Sequence, residues 1–272
     1  MEGFMHDVLG ETIFCHLAEA AERCRWRLED IPWHAIDRAR IAPYLRPLVR
    51  EMAFGEQTTF SATQKFLQTF SDDLDFSQWM SVWFYEETRH PLVLIRWLSE
   101  VGEYCDSDFV ARGRVSTPFM RSRMGTLVTN VISEVNAATA YMTIARAVDE
   151  PVLVGIARRL SSDEARHASS FYRYAARRLE RSARPDRERL DAIKVLHFWL
   201  NANQQVTHPV NQVLERVRER GLSDLVSADA GDIRERVCRI IGTLVDLPLA
   251  KPGDVDTWLS RLITEVHQAG GA

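Results

Sequence analysis

Cysteine is scarce and scattered in this 272-residue chain: Cys15, Cys24, Cys105 and Cys238 make no Cys-x-x-Cys pair and no dense framework. That excludes a disulfide scaffold and a thiolate zinc site, and the four read as reduced thiols. Long apolar runs are also missing. Nothing approaches the roughly 18 residues that a membrane-crossing helix needs, and Met1-Glu2-Gly3-Phe4-Met5-His6-Asp7 lacks a basic segment followed by an apolar one. A cytoplasmic protein with no membrane span is expected. Positive charge is not in excess either. The formal net charge is −4, which gives no case for nucleic acid or an anionic membrane as partner. Finally, the alternating pattern of strands is nearly absent. What remains is helix, in a chain whose 46% hydrophobic and 26% charged content marks an ordinary folded protein.

The apolar residues recur at helical spacing along almost the whole length. A first amphipathic helix is expected over about residues 4–28, ending before Pro32, since proline disfavours helix in the residue before it. A second should run from about 44 to 70 and a third from about 76 to 101, with Pro91 inside it as a source of a kink. Residues 102–117 read as an irregular connection. A fourth helix is expected over 118–148 and a fifth over 151–181, with Pro151 at its opening. Further helices should cover about 186–220, 232–245 and 254–268. The expected architecture is all-α: an antiparallel four-helix bundle over about 44–181, with accessory helices at 4–28 and 186–268, all in one domain over 1–272.

Two stretches carry the chemistry. Tyr85-Glu86-Glu87-Thr88-Arg89-His90 and Ser162-Asp163-Glu164-Ala165-Arg166-His167 both read Asp/Glu-Glu-x-Arg-His. In each, a Glu precedes a His by three residues, which on a helix sets carboxylate and imidazole one turn apart on one face. Two such pairs on long apolar-striped helices point to two metal ions held between helices. The neighbouring helices supply one more carboxylate each. Glu56, Glu87, Glu134 and Glu164 stand 31, 47 and 30 residues apart. A run of about 30 residues is half a helix, a turn and half a helix at 1.5 Å per residue, so each outer pair falls at matching depth in an antiparallel hairpin. The longer middle gap leaves room for a crossover. Glu56 is preferred to Glu51 because Met52, Glu56 and Phe60 share a stripe.

A glutamate within an apolar stripe is costly unless paired or bound to a cation. Four carboxylates and two divalent ions neutralise each other, and two neutral imidazoles complete the shells. Oxygen-rich ligation with one nitrogen per ion suits iron or manganese. Around these residues, Asp163 is placed to reach His90 and Glu86 to reach His167, fixing the imidazole tautomers, with Arg89 and Arg166 balancing charge. Phe60, Trp83, Ala138, Tyr141 and Phe171 are the candidates for an adjacent apolar pocket, and Trp83, one turn before Glu87, for an electron route. The basic run from Arg177 to Arg189 reads as a solvated helix end, with docking of an acidic carrier protein as the alternative.

At these residues the sequence resembles the di-iron carboxylate proteins of the ferritin-like superfamily, most of all the soluble acyl-carrier-protein desaturases. Those carry Glu-Glu-x-Arg-His first and Asp-Glu-x-Arg-His second, as here at 86–90 and 163–167, and the resemblance covers about residues 45–180. It implies a ferritin-like bundle with Glu56, Glu87, His90, Glu134, Glu164 and His167 as ligands of two iron ions, manganese or a mixed Mn/Fe pair also being compatible. It implies O2 as a reactant, a hydrophobic small molecule or carrier-bound acyl chain as substrate, an electron-donor protein and a homodimer. A ferritin-type role in iron oxidation or peroxide scavenging is the alternative. Two departures stand out. The desaturases often place a Thr one turn after the third helix's Glu, whereas Ala137 and Ala138 stand here, with Thr139 one further. Leu160 stands where the arylamine N-oxygenases carry an additional His.

Overall fold

The computed structural model describes residues 12–114, 122–201 and 223–270. Ten α-helices carry the chain through these residues: α1 (Ile13–Cys24), α2 (Leu45–Gly55), α3 (Thr59–Thr69), α4 (Leu74–Glu100), α5 (Ser107–Gly113), α6 (Arg123–Ala147), α7 (Pro151–Arg181), α8 (Pro185–Asn201), α9 (Ser223–Val245) and α10 (Pro252–Gly270). No strand occurs among the described residues.

Their ends follow local chemistry. Side chains of Thr12, Asp73, Asp106 and Ser122 each accept a backbone N–H from the first turn of α1, α4, α5 and α6, satisfying donors that a helix start leaves open. Glu150 does so twice for α7, which begins with Pro151. The long α4 stops at Gly102, whose φ of 88° places it in the left-handed region open to glycine. Gly102 N–H then donates to Ser99 O and Glu103 N–H to Leu98 O, closing the helix.

The bundle is built from four columns: α2 with α3, then α4, α6 and α7. Two separate apolar cores fix their directions. One contains Phe66, Phe76, Trp79, Trp83, Leu127, Val131, Phe171 and Tyr174; the other contains Val49, Met52, Leu94, Trp97, Tyr141, Ile156 and Leu160. Along α4 and α6 the first core comes before the second, and along α2–α3 and α7 the order is reversed. The columns therefore form two antiparallel pairs joined by the crossover that contains α5. This is the expected four-helix bundle. Between the cores each column presents a polar level, and there the two sequence motifs lie.

Several boundaries differ from expectation. The first helix ends at Cys24, with Arg25 extended, and residues 4–11 lie outside the described region. The expected 44–70 helix is two helices separated by a 3-10 turn at Glu56–Thr58, because a Gly and two β-branched threonines weaken it there. Backbone helix continues through Pro91, which is buried within α4. The 102–117 connection holds α5, capped by Asp106. The expected 186–220 helix ends at Asn201 within the described residues, the remainder lying outside them. Helix α9 starts earlier than expected, and α10 runs to Gly270. Outside the bundle, α1 packs on α4, while α8, α9 and α10 pack on one another and α8 and α9 on α6.

Candidate metal centre

Six side chains from all four columns meet at the polar level. Glu56 comes from the 3-10 turn, Glu87 and His90 from α4, Glu134 from α6, and Glu164 and His167 from α7. They form two sets of four. In one, Glu56, Glu87, His90 and Glu164 each place an oxygen or nitrogen within 4.8 Å of all the others. In the other, Glu87, Glu134, Glu164 and His167 do the same. Glu87 and Glu164 belong to both sets and so lie between them. His90 Nδ1 lies 3.2 Å from Glu164 Oε1 and 3.7 Å from both Glu56 Oε2 and Glu87 Oε2. His167 Nδ1 lies 2.8 Å from Glu87 Oε1 and 3.5 Å from Glu164 Oε2. The two imidazoles stack with ring centroids 6.0 Å apart.

The unpaired atoms test whether this set fits metal. Glu87 Oε1, Glu164 Oε2, His90 Nδ1 and His167 Nδ1 are all buried, and none makes a hydrogen bond; the short contacts among them are out of the line that such a bond requires. Unmade polar bonds in a dry interior cost about 1–3 kcal/mol each. Four such atoms facing one another are explained if cations are their partners. The outer faces are satisfied instead. His90 Nε2 lies 3.4 Å from Asp163 Oδ2, and His167 Nε2 lies 3.0 Å from Glu86 Oε2. With Nε2 carrying the proton toward a carboxylate, each Nδ1 offers a lone pair to the gap. The residues present fit two divalent ions: one nitrogen each, shared carboxylates between, and a charge of −4 to neutralise.

A second ring holds the first in place. Arg166 donates to Glu86 Oε1 at 2.6 Å and to Asp163 Oδ1 at 2.9 Å, so one guanidinium ties together the carboxylates behind both histidines. Arg89 lies farther from these two, 3.7 and 3.8 Å, and donates to the carbonyl of Trp26 with its guanidinium over the Trp26 ring. Trp26 Nε1 donates to Asp163 Oδ2 at 2.8 Å, completing the run Trp26–Asp163–His90. Thr59 Oγ1 donates to Glu87 Oε2 at 3.2 Å, and Tyr141 donates its phenol proton to Glu56 Oε1.

Acidities follow from this crowding. Burial, and then the neighbouring Glu164, push the Glu87 carboxyl up to about 7. Burial, with Glu164 and Glu87 close by, holds Glu134 well above the usual range. Burial also acts upward on Glu164, but the charge of His90 and the nearness of His167 and Glu134 bring it well below. Both imidazoles resist the effect of burial and are raised by the surrounding carboxylates. Protons thus perform in part the neutralisation that metal cations would perform in full.

The pocket candidates do not share one chamber. Trp83 lies against His167, ring centroids 6.3 Å apart, and against Phe66 and Phe171. Phe171 belongs to the core that also holds Trp79 and Tyr174. Phe60 points elsewhere, packing on Phe84 under the Arg114 guanidinium. Ala138 lines a 290 Å³ recess between α6, α7 and α9 with Ser161, Ala165 and Ile233. In the basic run, Arg177 pairs with Asp73 and Asp75, Arg178 with Glu188 and Arg184 with Asp186. That pairing weakens the case for an acidic docking partner. His197 pairs with Asp256, and His208 lies outside the described residues. Sequence reasoning missed Trp26, Thr59 and the Tyr141 hydrogen bond; only the indole and hydroxyl types hinted at them.

No protein-family model matches the chain, and no curated protein matches it. Solved structures do share its shape. An R2-like ligand-binding oxidase with an aerobically reconstituted Mn/Fe cofactor aligns over 89% of this chain and 94% of its own, with 17% identity and a TM-score of 0.60. A point variant of such an oxidase, with the Mn/Fe cofactor reconstituted anaerobically, aligns over 87% and 93%, with 18% identity and a TM-score of 0.60. The fold is that of the R2-like ligand-binding oxidases. This chain thus has a ferritin-like bundle, and its two Glu-x-x-His pairs lie on two long helices of that bundle, α4 and α7. At such identity the match concerns architecture; the chemistry rests on the residues.

Proposed function

We propose that this chain is an O2-dependent di-metal oxidase or oxygenase acting on a hydrophobic, acyl-like substrate. Glu56, Glu87, His90 and Glu164 would hold one ion, and Glu87, Glu134, Glu164 and His167 the other. Two irons are the proposed pair, and the donor set also accepts manganese or the Mn/Fe pair that the oxidases of this fold carry. The observation that carries the reading is the group of four buried ligand atoms with no hydrogen bond, two on each Glu-x-x-His pair. When bound, the reduced pair supplies electrons to O2.

The protein's own part is positional. Asp163 and Glu86 orient the imidazoles and fix which nitrogen faces inward. Arg166 joins those two carboxylates, so that displacement behind one histidine is felt behind the other. The apolar cores on either side keep water from the site and lower the local dielectric, which strengthens every charge interaction in it. An electron-donor protein and a homodimer belong to the same proposal.

Metal content after anaerobic Fe(II) reconstitution tests it, in the wild type and in Glu87→Ala and Glu164→Ala. About two irons per chain are expected, lost in both variants, with O2 consumed on exposure to air. Failure of the wild type to bind metal overturns the reading. O2 uptake that stores oxidised iron without touching any acyl substrate would instead place the chain with ferritin-type iron oxidation.

A further inference from the structure

Glu56 differs from the other three inward glutamates in two respects. It stands on a 3-10 turn rather than a continuous helix, and a tyrosine donates to it. That turn is wedged from outside by α5. A Cβ on Gly113 would lie 2.6 Å from Gln57 Cβ and 2.9 Å from Phe54 O, so only glycine lets α5 approach this closely. The backbone of the turn is thereby fixed, and the carboxylate retains its own rotation. Tyr141 restrains that rotation. Its ring is 3% exposed and lies in the core with Met52, Leu94, Ile156 and Leu160, so the phenol cannot turn to water. The phenol donates to Glu56 Oε1, and it is Oε2 that lies 3.7 Å from His90 Nδ1. No hydroxyl reaches Glu134 among the described residues.

We infer that Tyr141 is a positioning residue that limits Glu56 to one metal-binding oxygen, keeping a coordination place open at the ion beside His90 for a small anionic or O2-like ligand. This rests on the di-metal reading above. An oxygen that accepts a phenol proton is a poorer donor to a cation, so an ion beside His90 would receive one oxygen from Glu56. Glu134, which meets Glu164 and no hydroxyl among the described residues, could turn both of its oxygens to an ion beside His167. The two ions are then unequal. Exogenous ligands bind at the one with fewer protein donors.

Azide and Co(II) make this measurable without turnover. In the Co(II)-loaded wild type, azide should bind at one site per chain and change the visible absorption of a cobalt of low coordination number. Tyr141→Phe keeps the ring and removes the donor. It should still bind two cobalts, with the weaker absorption of a six-coordinate ion and azide affinity lower by about tenfold or more, the scale of losses when a group supporting a ligand is removed. Equal azide affinity and equal spectra in both proteins overturn the inference, even though the di-metal reading stands. A wild type that binds two metals but no azide, or two azides per chain, overturns it as well, whatever the folding of the variant. A wild type that binds no metal instead defeats the reading beneath it.

Discussion

Glu150 and Glu87 are both glutamates buried on or beside helices, and their surroundings assign them different work. Glu150 is fully enclosed, yet its oxygens accept from Val152 N, Leu153 N, Asp37 N and Trp97 Nε1. Every lone pair direction has a protein donor, so it is a structural clamp between the start of α7, the loop before α2 and α4. Glu87 accepts one hydroxyl and keeps an oxygen with no hydrogen bond. Replacing Glu150 by Ala should therefore cost about 2–4 kcal/mol, from lost capping and stranded donors, while metal content at saturation stays at the wild-type value. Chemical denaturation read beside metal analysis separates the two roles. The contrast extends to the tryptophans. Trp26 donates to Asp163 behind His90, whereas the indole N–H of Trp83 is buried without an acceptor. Trp26→Phe should weaken metal binding by about tenfold, measured by competition with a chelator, because Asp163 loses the donor that holds it toward His90. Trp83→Phe removes no such bond and should leave that affinity unchanged.

At the level of elements, the spacing in the sequence told much of the story and missed the turn at Glu56, the short α5 and the early end of α1. Separations of 31 and 30 residues put each pair of glutamates at the same depth, because helix rise is uniform, and the 47-residue gap contained the crossover. The repeated Glu-x-x-His needed only the 3.6-residue period to be legible. The break at Glu56 was not, since Met52, Glu56 and Phe60 recur in the sequence at helical spacing across it, although the structure turns Phe60 away to Phe84. Gly55, Thr58 and Thr59 are weak helix formers but not stops. Trp26 was beyond reach for another reason: its partner Asp163 lies 137 residues away, and local pattern contains no information on such a pairing. The wedge on the missed turn makes a prediction. Gly113→Ala must push Gln57 or the Phe54 carbonyl aside, and overpacking of this kind costs about 1–3 kcal/mol. The displacement falls on Glu56, so metal content should drop from about two ions toward one, with the ion held by Glu134 and His167 retained. Metal analysis of the purified variant, beside its thermal midpoint, checks both parts.

Across the whole molecule, the polar level sits between two dry cores, so its ionisation is coupled to folding. Glu87 titrates at about 7 in the fold, against 4.5 for an unperturbed glutamate. Between those values the metal-free folded protein keeps a proton that the unfolded chain releases, and stability must fall as pH rises through this window. The histidines act in the same direction: their folded values are raised above 6.5, and their contribution, full below 6.5, is lost as pH rises through the folded values. Glu86 and Asp163 are lowered from 4.5 and 3.8, so their contribution is already complete above those values and falls away only in stronger acid. The metal-free protein should therefore melt at a lower temperature near pH 8 than near pH 5.5. Metal reverses the trend, since cations take the places of those protons and bind more tightly as the protons leave, and a ligand that binds only the folded state stabilises it. Thermal unfolding with chelator and with excess Mn(II), at both pH values, should give two lines of opposite slope. Parallel lines would show that the buried carboxylates do not meet the metal, and the bundle would then be held by its cores alone.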